Sequence, residues 1–141
     1  MIRLVAATVA LTALALATGV AAFEATKAPA GAKVFFVEPK NGDTVTGPVK
    51  VKFGLTGMEV IPAGTEKANS GHHHLLINTK LADPKAAIPA DDKHKHYGKG
   101  QTEDTVTLPP GKHTLQLVLG DHNHIPHNPI VQSEVITITV K

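Results

Sequence analysis

The chain has no cysteine and no tryptophan, a single tyrosine and two methionines in 141 residues. Without cysteine there can be no disulfide, no thiolate metal site and no lipid attached to a processed N-terminal cysteine. The fold must therefore be held by its core. Charge of one sign is also missing: 14 Lys and Arg stand against 12 Asp and Glu, which removes the electrostatic case for nucleic acid or an anionic membrane as partner. No nucleophile elbow, HExxH or P-loop is found. No stretch after the first 22 residues has a convincing helical period.

The N-terminus is organised differently from the rest. Met1-Ile2-Arg3 is followed by an apolar run from Leu4 to Val20, then Ala21-Ala22, then the polar start Phe23-Glu24. A short basic region, an apolar region and small residues before a polar start mark a secretory signal. Residues 1–22 are read as that signal, with cleavage near Ala22. The rival reading, an uncleaved anchor, has a run of about 17 residues, at the lower limit for crossing a bilayer. It is rich in Ala and Thr, and no Lys/Arg stop follows closely. The expectation is an exported, periplasmic protein without a stable membrane anchor. With Arg3 removed, the 119 residues from Phe23 carry 13 basic and 12 acidic groups, enough chain for one domain with one core.

Residues 23–32 (FEATKAPAGA) read as a flexible leader and residues 33–141 as the domain. Strands are expected at Lys33 to Glu38, Pro48 to Leu55, His72 to Asn78, Thr102 to Leu108, Lys112 to Leu119 and Ser133 to Lys141. The second alternates well, with Val49, Val51, Phe53 and Leu55 on one face and Lys50 and Lys52 on the other. Dense turn chemistry separates these runs, as in Pro39-Lys40-Asn41-Gly42-Asp43. Residues 79–101 form a long loop of a kind that is often functional. Six to seven short strands without helix predict an all-β, antiparallel immunoglobulin-like β-sandwich, with a cupin-type barrel as the alternative. In such sandwiches a ring residue often bonds back to the corner before a late strand. His113, after Pro109-Pro110-Gly111, is expected to fill that place.

Histidine is what the chain has in excess. There are nine, and eight fall in three patches: His72, His73 and His74; His94 and His96; His122, His124 and His127. Residues i and i+2 of a strand share a face, so His72 and His74 can serve one ion while His73 points away. If Leu75 and Ile77 face the core, His73 goes in with them as a hydrogen-bonded core residue; if Leu76 does, the roles swap. Neutral imidazole is the commonest protein ligand for divalent transition metals. The set suits Zn(II), Cu(II) or Ni(II), and suits Cu(I) poorly, since Met58 is the only thioether left after cleavage. The competing reading leaves the rings exposed or bonded in turns, with any metal binding adventitious. Protonation offers a further one, since nine imidazoles can charge between neutral and acid pH.

Several segments also resemble a known family: Val34 to Pro39, Gly71 to Ile77 (GHHHLLI), His96 to Glu103 (HYGKGQTE), Pro110 to Leu117 (PGKHTLQL) and His124 to Pro129 (HIPHNP). Together they resemble an exported bacterial family known as domain of unknown function 4399, over about Lys33 to Lys141. The resemblance implies a periplasmic location and supplies no activity. Its pattern falls on His72, His73, His74, His96, Gln101, Glu103, His124 and His127, and leaves His94 and His122 peripheral.

The leading expectation is a domain that binds a divalent metal, copper or zinc, as carrier or buffer. His72, His74, His96, His124 and His127 are the candidate ligands. Gln101 or Glu103 would be a further ligand or would hold a ring in one tautomer. A metal-free recognition or structural module is the alternative. A metal-dependent hydrolase with Glu103 as base is the third reading.

Overall fold

The structure, a computed structural model, describes residues 24–141; the expected signal at 1–22 lies outside them. The described residues are all-β, with nine strands: β1 (Lys33–Glu38), β2 (Thr44–Val45), β3 (Val49–Thr56), β4 (Glu59–Val60), β5 (Ser70–Ile77), β6 (His94–His96), β7 (Glu103–Val106), β8 (Gly111–Gly120) and β9 (Ile136–Val140). They form two sheets. One has the order β1-β3-β7; the other runs β2-β9-β8-β5-β4, with β6 added beside β5. Most pairs are antiparallel. The exceptions are β2 with β9 and β4 with β5, which pair parallel over two residues each. These two short parallel pairs make the second sheet mixed, and the two sheets form the all-β sandwich expected from the sequence. A two-residue strand carries no period to read.

The alternating apolar faces meet between the sheets. Val49, Val51 and Phe53 of β3 pack with Leu75 and Ile77 of β5, with Leu115, Leu117 and Leu119 of β8, and with Ile136, Ile138 and Val140 of β9. Burial of these branched and aromatic side chains, about 1.5–3 kcal/mol each, is the main favourable term in a chain without disulfides. His113 closes the corner as expected. Its Nε2–H donates to the Pro109 carbonyl at 2.7 Å, and Nδ1 accepts from Asn78 Nδ2 at 2.9 Å.

The sheet containing β5 has a second buried face. Leu76 of β5 and Val118 of β8 point away from the main core. There they pack with Ile88, Leu81 and Ile130 from the loops 79–93 and 121–135. Every residue of β5 is consequently buried. The loops lie over what would otherwise be the solvent face of the sheet and create the environment of the histidines.

Candidate metal centre

Since Leu75 and Ile77 enter the main core, strand alternation puts His72 and His74 on the opposite face, under the loops. Register supplies the third ring. In the antiparallel pair of β5 with β6, His74 stands directly opposite His96, where Cβ atoms approach to about 4.5–5.5 Å. The fourth ring comes from the 121–125 turn, which runs back over the end of β8. Asp121 holds that turn: its Oδ1 accepts the amides of Asn123 (2.8 Å) and Ile125 (3.0 Å), and its carbonyl accepts the His124 amide at 2.9 Å. His124 itself sits at φ 64°, a left-handed conformation uncommon for a non-glycine residue. The Ile88 amide donates to its carbonyl at 2.8 Å.

The result is a compact group of four imidazoles. One ring nitrogen from each of His72, His74, His96 and His124 lies within 4.8 Å of the others. Nε2 of His74 and Nε2 of His72 are 2.8 Å apart, and Nε2 of His72 is 3.0 Å from Nδ1 of His124. His72 and His74 are buried, His124 is half-buried and His96 is exposed. The group thus has a closed floor and an open rim. Two glycines make space for it. A Cβ on Gly120 would lie 2.7 Å from His74 Nε2, and one on Gly98 would lie 2.8 Å from His96 Nε2.

Burial and mutual repulsion favour the neutral form of His72, His74 and His96. Desolvation first, then the neighbouring His124 and His96, push His72 down to about 4. His74 falls to about 2, by burial and then by His72, His96 and His124. His96 is also lowered, by burial and by His124. Neutral imidazole is the form that ligates.

The other expected ligands lie elsewhere. His127 is buried, but its Nε2–H donates to the Ser70 carbonyl at 3.0 Å and it is not one of the four. Gln101 accepts the Lys99 amide through Oε1. Glu103 is on β7 in the other sheet, exposed and 4.0 Å from Lys52 Nζ. Sequence proximity to His96 misled here, because the chain crosses between sheets in the few residues after it. His94 Nδ1 is bonded to Asp91 at 2.7 Å and His122 Nε2 to Asn123 at 3.1 Å, both outside the group. His73 does enter the main core, against Phe53 with ring centroids 5.0 Å apart. However, neither of its nitrogens has a hydrogen-bond partner, which corrects the expectation of a bonded core histidine. Burial lowers it to about 4.

One contributor outside the histidine patches was not visible in the sequence. Residues 24–32, expected as a flexible leader, are pinned to the His124 loop. Thr26 Oγ1 donates to Asp121 Oδ2 at 2.7 Å, and the backbones of Thr26 and Ala28 pair with that of Asn128. Burial works against the charged form of Asp121. The Thr26 hydroxyl and the amides of Ile125 and Asn123 outweigh it and hold the carboxyl below its ordinary value.

A family model described as a domain of unknown function (DUF4399) matches residues 51–141. No curated protein and no solved structure matches the chain.

Proposed function

The chain belongs to that family, and we propose that its domain binds one divalent transition metal through His72, His74, His96 and His124, as a periplasmic carrier or buffer. What carries the reading is the crowding at His72 Nε2. This one atom faces two other ring nitrogens, at 2.8 and 3.0 Å. A neutral ring nitrogen has either one proton or one lone pair. The three atoms therefore cannot form two good hydrogen bonds unless one lone pair serves two donors. A cation at the convergence point accepts every lone pair at once.

The donor set supports a borderline metal. It contains four imidazoles and no carboxylate. Metal–nitrogen bonds of about 2.0–2.1 Å place ligand atoms about 3.3–3.4 Å apart in a tetrahedron. In a square the same bonds give about 2.9 Å between neighbours and about 4.1 Å across. The separations of 2.8 and 3.0 Å from His72 Nε2 to its two neighbours are nearer the adjacent edge of a square than the edge of a tetrahedron, and a tetragonal nitrogen set favours Cu(II) over Zn(II). Copper(II) also heads the affinity order of divalent first-row ions. The open rim at His96 and His124 suits loading and release. Hydrolysis would require a base, and Glu103 is not beside the rings.

The reading is tested by thermal unfolding. Free Cu(II) or Zn(II) at about 100 times Kd should stabilise the protein by about 2.7 kcal/mol. For a domain of this size that raises Tm by about 10 °C. His124→Ala should lose most of the rise. No shift in the wild-type protein with either metal would refute the proposal.

A further inference from the structure

The carboxylate of Asp121 is the node of the loop that carries His124. It is 3% exposed and accepts three hydrogen bonds. Two come from within the turn, from the amides of Asn123 and Ile125; the third comes from the Thr26 hydroxyl, 95 residues away in sequence. Backbone bonds continue the attachment. The Asn128 amide donates to the Thr26 carbonyl at 2.9 Å, and the Ala28 amide to the Asn128 carbonyl at 3.1 Å. Thr26 and Asp121 also line, together with His72, a cavity of about 250 Å³, so the pair stands beside the cluster. His124 needs such support. Its left-handed backbone is held only if the surroundings over-determine it, and a ligand misplaced by about 1 Å is a poor ligand.

We propose that residues 24–28 form a strap that positions His124 through the Thr26–Asp121 hydrogen bond, so that docking of the strap sets the metal affinity of the site. Thr26 and Asp121 are positioning residues and touch no ion. The proposal rests on the metal reading above.

The test uses purified protein, copper(II) as probe, and amide exchange of the metal-free protein. Thr26→Val keeps the shape of the side chain and removes its donor. It should weaken copper(II) binding about 10–100-fold, as expected for a residue that orients a ligand. It should also remove one nitrogen from the copper paramagnetic resonance pattern, and Thr26→Ser should restore both. In a His124→Ala background Thr26→Val should have no further effect. Without metal, the amides of Asn123, His124 and Ile125 should exchange faster in Thr26→Val while those of β5 do not. If Thr26→Val unfolds the domain, Thr26→Ala is read the same way. Wild-type affinity and spectrum in Thr26→Val would overturn the strap, as would an undiminished effect on top of His124→Ala. Failure of the wild-type protein to bind copper(II) would overturn the preference for copper, and failure to bind zinc(II) as well would overturn the metal reading. The exchange measurement, which needs no metal, then decides separately whether the strap holds His124: unchanged exchange would overturn that too.

Discussion

Acid should unfold the metal-free domain well before its carboxylates titrate. His72 and His73 are depressed to about 4 and His74 to about 2, whereas the unfolded chain binds these protons near 6.5. A depressed folded value means that the stabilisation is present above 6.5 and is lost as pH falls towards the folded value. Each ring loses about 1.36 kcal/mol per pH unit in that window. Between pH 7.5 and 5.0 the three together cost about 6 kcal/mol, an appreciable share of the 5–15 kcal/mol typical of a domain. Asp121 contributes nothing in this range, because its lowered value places its loss at more acid pH. The assay is urea unfolding in chelator at pH 7.5 and pH 5.0. With a slope of about 2 kcal/mol per molar, the midpoint should fall by about 3 M. Midpoints within about 0.5 M of each other would show that the rings are not held neutral in a folded interior, and the reasoning would fail.

Three substitutions extend the account. His73→Leu should remove about a third of that acid sensitivity, since one ring of three is gone. It should leave stability at pH 7.5 within about 1 kcal/mol, because a buried group with no hydrogen bond is replaced by an apolar one, and metal affinity unchanged in a competition titration. Gly120→Ala should lower metal affinity at least about tenfold while circular dichroism stays native, because the new methyl displaces the His74 ring. His127→Ala should leave affinity within about twofold but cost about 1–3 kcal/mol in chemical unfolding, since the buried Ser70 carbonyl loses its donor.

The main strands were legible because their alternation is long enough to read. KVFFVE occupies the expected residues, and β3, β5, β8 and β9 fall within a few residues of their expected ends. His113 was legible from its corner. The cluster was only partly so. Period two correctly separated His72 and His74 from His73, but a strand face bearing two histidines reads as a wet face. Nothing in the pattern of residues 79–93 or 121–135 announced that they would cover it. His124 and His127 are three apart in one proline-stiffened loop, and sequence treats them alike. The left-handed turn at His124 and the Ser70 carbonyl beside His127 send one ring to the cluster and the other away from it. Gln101 and Glu103 illustrate the converse: closeness along the chain to His96 did not survive the crossing to the other sheet. Thr26 carried no signal at all, because its role depends on a carboxylate far away in sequence.

The most direct test is to add one equivalent of copper(II) and count the imidazole nitrogens bound to it by pulsed paramagnetic resonance, in the wild-type protein and in His72→Ala/His74→Ala. Convergence of the four rings predicts one homogeneous species with four imidazole nitrogens, lost in the double variant. A wild-type spectrum with two or fewer such nitrogens, or one unaltered by removing His72 and His74, would contradict it.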